Sequence, residues 1–207
     1  MSHLLSIRSG LFFILSLTFF TVSPAWSAIS LPEGPHVVYE VKKGDSLAVI
    51  AKKHGVTAGF IRQVNAVSGD RILSGQKLII PTYKLSVHVD KSDNILTLKA
   101  GEQTVKTYIV STGTNNSTPV GTFKVTDKLE NPTWYKAAGT VIPPDSKDNQ
   151  LGTRWLGWDL KGFGIHGTTE PEKLGQQVTA GCVRMKNEEV EELYALIPSG
   201  TVVAVVD

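Results

Sequence analysis

A single cysteine stands among 207 residues, so no disulfide can close within the chain. Neither sign of charge dominates: 21 lysines and arginines face 19 acids, a net charge of +2. That balance excludes the basic footprint of a nucleic-acid binder. Histidines number five and are scattered, so with one cysteine the chain implies no metal site and no cofactor. There is no phosphate-cradling glycine loop and no internal repeat. One long apolar run exists, Leu11–Val22, and it is shorter than the roughly 20 residues that span a bilayer.

That run follows His3 and Arg8, is broken by Pro24, and leads to Ala25-Trp26-Ser27, with small residues at the −3 and −1 positions of a cleavage site. It reads as a secretory signal peptide over residues 1–27 rather than a membrane anchor. Cleavage would leave no stable membrane attachment and a protein exported to the periplasm or cell wall. In that setting an unpaired thiol stands out, because exported proteins usually carry cysteines in pairs.

After a Pro/Gly linker, residues 36–81 read as strand, helix, helix, strand. Val37–Val41 is the first strand. Ser46 offers a helix N-cap, with Leu47, Ile50 and Ala51 on one face and Gly55 as a stop. Thr57 opens the second helix, with Phe60, Ile61 and Val64 inward, and Lys77–Ile80 is the second strand. The positions Tyr39, Val41, Gly44, Asp45, Ser46, Leu47, Asn65, Leu73, Gly75, Leu78 and Pro81 resemble a LysM domain. The resemblance implies a small α+β module that binds the glycan strands of peptidoglycan. Gly44, Asp45 and Ser46 are its candidate glycan-binding residues.

From Leu85 the periodicity turns to two. Leu85–Asp90, Ile95–Leu98, Val105–Val110, Thr122–Val125 and Trp155–Leu160 alternate or run apolar between turn residues. Residues 85–207 are therefore a mostly-β domain, a largely antiparallel sandwich or barrel. Asn131–Gln150 is a long excursion whose Trp134 and Tyr135 either line a cleft or anchor the loop, the anchoring favoured because aromatics are large sources of packing energy. Near the end, Asn187 offers an N-cap and Val190, Leu193, Tyr194 and Ile197 give a helix its apolar face. Thr201–Val206 closes the chain as a strand.

The chemistry is concentrated in Gly164–Met185. Cys182 is the thiol, and His166 lies sixteen residues before it between Ile165 and Gly167. A thiol with an ordinary pKa of about 8.5 needs a base or a positive field to attack, and an imidazole serves as that base. The base in turn needs an orienting group. The Gly167 carbonyl or the Thr168 hydroxyl is adjacent. The amides of Gly181 and Cys182 are candidates to hold an oxyanion. Arg184, two residues on, falls on the Cys182 side of an extended segment. It suits a substrate carboxylate or a structural ion pair.

Gly-Ile-His-Gly-Thr followed by Thr-Ala-Gly-Cys-Val-Arg-Met is similar to the motif of the L,D-transpeptidase family, whose catalytic domain is YkuD-type. Thr118–Phe123, Asn131–Trp134, Leu151–Trp155 and Gly200–Val203 fit as well. The resemblance implies acyl transfer on peptidoglycan stem peptides held in a cleft. It makes Cys182 the nucleophile, His166 the proton acceptor and donor, and Gly167 the carbonyl that orients His166. Arg184, Thr168, Gly181 and Thr179 become substrate-binding candidates. Many members carry a second histidine where this chain has Ala180, and Thr179 keeps the hydroxyl of their serine. The acceptor would be an amine, giving 3→3 cross-links or attaching a protein. The rival readings are a carboxypeptidase or amidase on the same fold, or a non-catalytic wall-binding protein.

Overall fold

In the computed structural model, which describes residues 31–136 and 139–207, the first unit is built from β1 (His36–Glu40), α1 (Leu47–His54), α2 (Ala58–Val64) and β2 (Lys77–Pro81). The segment read as a signal peptide, residues 1–27, lies outside the described residues. β1 and β2 pair antiparallel, His36 opposite Pro81 and Glu40 opposite Lys77. Ser46 caps α1 by accepting the Val49 amide at 3.3 Å, and Gly55 ends it at φ +66°. Asn65 ties the end of α2 to β2: its side chain donates to the carbonyls of Ile61 and Ile79 and accepts the Ile79 amide at 2.7 Å. Leu47, Ile50, Ala51, Ile61, Leu78 and Ile80 fill a separate small core.

The second unit runs through β3 (Leu85–Asp90), β4 (Ile95–Ala100), β5 (Gln103–Ile109), β6 (Thr112–Gly113), β7 (Gly121–Glu130), β8 (Trp134–Tyr135) and β9 (Val141–Ile142). It continues with β10 (Arg154–Trp158), β11 (Gly164–His166), β12 (Gln177–Thr179), β13 (Val183–Arg184), α3 (Asn187–Leu196) and β14 (Val202–Val206). Eight of these form one sheet in the order β13-β11-β10-β7-β14-β3-β4-β5. Most neighbours are antiparallel, but β11 with β13 and β14 with β3 run parallel.

The sheet curls until its edges meet. Ser111, just past β5, exchanges both backbone hydrogen bonds with Arg184 of the opposite edge, each at 2.8 Å. The barrel-like reading of the sequence therefore holds in a single mixed sheet. Inward residues of β3, β4, β10, β11, β13 and β14 meet Val190, Leu193 and Leu196 of α3 in one apolar core. A fully buried aliphatic side chain contributes about 1.5–3 kcal/mol, so this core dominates the energetics.

The two units are packed together rather than strung on a linker. Phe60 of α2 is buried in the larger core, and Tyr83 packs edge-on against it with ring centroids 5.6 Å apart. Thr57 serves twice. Its hydroxyl oxygen accepts the Phe60 amide at 2.9 Å as the cap of α2, and its hydroxyl proton goes to the Ala195 carbonyl at 2.5 Å. Among the described residues no helix is long and apolar enough to cross a membrane.

Candidate active site

β11 and β13 set the site. They pair parallel with Ile165 beside Val183 and His166 beside Arg184. Ile165 and Val183 are fully buried on the core side. Alternation along the strands puts His166 and Arg184 on the other side, with Gly164 and Cys182 one step earlier on that same side. Cys182 and His166 are thus diagonal neighbours on one face.

His166 is buried, 4% exposed, and its ring lies against Trp155 of the next strand, centroids 6.0 Å apart and planes 22° from parallel. Its Nδ1 is 2.6 Å from the Gly167 carbonyl oxygen. A carbonyl only accepts, so Nδ1 carries the proton and Nε2 is left with the lone pair. The Thr168 hydroxyl is not the orienting group; it accepts the Glu170 amide at 2.9 Å. Burial holds the imidazole down to about 4, against the opposing pull of the Gly167 carbonyl and with further depression from Arg184.

Cys182 is the free thiol, partly exposed, with Sγ 3.6 Å from the Gly162 carbonyl oxygen. Burial pushes the thiol up to about 11, although the Gly164 amide and the Arg184 charge both favour the thiolate. At neutral pH the resting pair is therefore neutral thiol and neutral imidazole. The resting thiol bonds Gly162 and not His166; hydrogen bonds of this kind are often formed only with substrate present.

The loop before Cys182 is shaped by Thr179. Its hydroxyl donates to the Cys182 carbonyl at 2.6 Å and accepts the Gly181 amide at 3.1 Å. Two sequence expectations change accordingly. The Gly181 amide is spent on Thr179, so the Cys182 amide alone remains for an oxyanion. Thr179 is a buried brace of the loop, not a substrate-binding group. Gly181 itself sits at φ +129°, and a Cβ there would lie 2.6 Å from the Phe163 ring.

Of the two readings of Arg184, the structure shows the ion pair. It is 5% exposed, and Nη1 pairs with Glu170 at 3.1 Å. A buried guanidinium requires such a counter-charge. Its Nε finds no partner among the described residues. Arg184 acts on the site through its charge and through the strand that carries it, not as a group displayed on the cleft.

The thiol opens into a cleft of about 280 Å³ lined by Leu129, Trp134, Tyr135, Trp155 and Gly162. Trp134 and Tyr135 line this cleft and also tie the excursion to itself by pairing with Ile142 and Val141; Tyr135 is 75% exposed. A larger depression of about 900 Å³, lined by Lys136, Ile142, Lys147 and Glu170, holds neither Cys182 nor His166. Sequence reading missed Trp155, whose partnership with His166 depends on strand register. Gly164 makes room for it: a Cβ there would meet the Trp155 ring at 2.9 Å.

In the first unit, Gly44, Asp45 and Ser46 have local tasks. Gly44 turns at φ +90°, Asp45 accepts the Tyr39 hydroxyl and the Lys42 amide, each at 2.8 Å, and Ser46 caps α1. The side chains of Asp45 and Ser46, expected to face a glycan, are committed to the turn and the cap. Among the described residues no three His, Cys, Asp or Glu side chains group so as to hold a metal.

With this geometry in view, a model of the L,D-transpeptidase catalytic domain, YkuD, matches residues 84–205. The chain belongs to the L,D-transpeptidase family. A LysM domain model matches residues 39–81. YkuD of Bacillus subtilis (strain 168), an L,D-transpeptidase by assigned name, is 30% identical over 82% of this chain and 98% of its own length. YqjB of the same organism, named likewise, is 43% identical over 58% of this chain and 70% of its own. An L,D-transpeptidase crystal structure from Mycobacterium tuberculosis H37Rv superposes with TM-score 0.52 at 15% identity, over 83% of this chain and 90% of that one. At that identity the likeness concerns the fold. The family's catalytic domain thus coincides with the curled sheet that carries Cys182 and His166.

Proposed function

We propose that this protein is a peptidoglycan L,D-transpeptidase working through a Cys182 acyl-enzyme, exported by its N-terminal segment and held to glycan strands by its LysM unit. The observation that carries the reading is the face shared by Cys182 and His166, with Cys182 lining an apolar cleft and His166 Nδ1 held by Gly167. The apolar walls suit the backbone and aliphatic part of a stem peptide.

Cys182 Sγ attacks the carbonyl that follows the L-centre of the diamino acid at stem position three. The thiol proton passes to His166 Nε2 as the C–S bond forms. Because thiol and imidazole are both neutral at rest, transfer accompanies attack instead of preceding it. The Cys182 amide donates to the developing oxyanion. The imidazolium then gives its proton to the leaving amine, and the terminal D-residue departs, leaving a thioester. An acceptor amine attacks, His166 takes its proton, and the new amide forms as the thiol is restored. With another stem's diamino acid as acceptor, the product is a 3→3 cross-link. The LysM unit raises the local concentration of wall substrate.

Intact-protein mass after incubation with a disaccharide-tetrapeptide tests the covalent step. The native chain gains the mass of the donor less the released D-amino acid, and Cys182→Ala gains nothing. Absence of any adduct on the native chain under trapping conditions counts against the acyl-enzyme.

A further inference from the structure

Asn187 was expected to cap α3, but its side chain serves elsewhere. Asn187 is the first residue of α3, and the position before it, Lys186, makes no side-chain cap. The Asn187 Oδ1 accepts two amides from distant segments, Thr153 at 3.2 Å and Thr168 at 3.1 Å. The backbone has been cleared around that oxygen. A Cβ on Gly152 or on Gly167 would lie 2.2 Å from it. Gly152, moreover, holds φ +63°. Two glycines therefore converge on one side-chain oxygen.

The Thr168 amide belongs to the same peptide group as the Gly167 carbonyl. That carbonyl is the one that receives His166 Nδ1 at 2.6 Å. A trans peptide is planar, with its N–H and C=O pointing in opposite directions. Gripping one end of it fixes the aim of the other. The hydrogen bond at the amide also polarises the group and strengthens its carbonyl as an acceptor. On the other side, the Gly167 amide donates to the Arg154 carbonyl at 3.2 Å and the Met185 amide to the His166 carbonyl at 2.8 Å. Among the described residues, the peptide between Gly167 and Thr168 has no backbone–backbone hydrogen bond to hold it.

We infer that Asn187 is a positioning residue for the His166 base: through the 167–168 peptide it locks His166 in the tautomer that leaves Nε2 with its lone pair. The inference rests on the reading of His166 as base, but its structural core does not depend on activity. Without Asn187 the 167–168 peptide is free to rotate, Nδ1 loses its fixed acceptor, and the Nε2–H tautomer is populated. That tautomer cannot take the thiol proton. Asparagine is needed for an oxygen at this reach that accepts two amides at once; aspartate offers the same oxygen, alanine none.

The test uses the full chain with isotope-labelled histidine and long-range proton–nitrogen correlation of the His166 ring. The native ring shows the Nδ1–H tautomer alone. Asn187→Ala shows mixed tautomers and a 10- to 100-fold slower acylation of Cys182, in the range that lost orienting partners cost elsewhere. Asn187→Asp restores both. If Asn187→Ala folds and keeps a pure Nδ1–H ring, the inference is overturned, whatever its activity. If Asn187→Ala does not fold, Asn187→Asp decides: a pure Nδ1–H ring supports the inference and mixed tautomers overturn it. A pure ring together with an inactive native chain would instead count against the acyl-enzyme reading alone.

Discussion

The hydroxyl of Thr179 donates to the Cys182 carbonyl at 2.6 Å while its oxygen accepts the Gly181 amide. One side chain thus closes the tight turn that presents the thiol. Thr179→Ala leaves a buried amide and a carbonyl without partners, which costs about 1–3 kcal/mol. Urea denaturation of the variant should show that loss, and acylation of Cys182 should slow with it. Thr179→Ser, which keeps the hydroxyl, should stay near the native values in both measurements. A Thr179→Ala protein matching the native one in stability and rate would mean the turn holds without the brace.

The protonation states give a second prediction. With the thiol raised to about 11, the thiolate fraction climbs with pH through the whole accessible range. Alkylation of Cys182 by iodoacetamide, followed by mass, should therefore rise about tenfold per unit between pH 7 and pH 10. Because Cys182 is the single cysteine in the chain, the label reports it alone. Arg184→Gln removes a charge that favours the thiolate and should slow labelling at every pH. A plateau already reached below pH 8 would reveal a preformed thiolate–imidazolium pair and contradict the neutral resting state.

The contact between the two units is equally specific. At Gly59 of α2 a Cβ would lie 2.3 Å from the Ala195 carbonyl oxygen, which is backbone and cannot move aside cheaply. Gly59→Ala should force α2 off the end of α3, breaking the Thr57 bond and exposing Phe60. Small-angle scattering should then show a longer particle, and melting should fall by several degrees, as overpacking of about 1–3 kcal/mol implies. An unchanged scattering profile would show that the units are held by other contacts.

Much of this architecture was legible because local chemistry and tertiary structure agree. The Gly44-Asp45-Ser46 turn offers an N-cap that Ser46 supplies, and Thr57, read as the opening of the second helix, caps it. The alternation of Leu85–Asp90 puts Leu85, Val87 and Val89 inside. Cys182 and His166 were found by scarcity and by glycine setting, and the pairing of β11 with β13 brings them to one face. What sequence did not reveal depends on partners far away along the chain. Asn187 reads as a cap because residues at a helix start usually are; amides of Thr153 and Thr168, brought in by β10 and β11, claim its oxygen instead. For Arg184 alternation left a substrate contact and an ion pair both open, and it is Glu170, carried by the loop after β11 and still partly exposed, that supplies the ion pair. For Trp134 and Tyr135 sequence favoured anchoring over cleft lining, and the pairing of β8 with β9 lets them do both.

The account as a whole is tested most directly by mass analysis of muropeptides after incubation with the purified protein. The native chain should convert tetrapeptide muropeptides into dimers lighter than two monomers by the mass of one released D-amino acid, and Cys182→Ala should leave every mass unchanged. Tripeptides without dimers would keep the Cys182 chemistry and assign water as acceptor. Unaltered muropeptides with the native chain, or the same products from Cys182→Ala, would contradict the central claim.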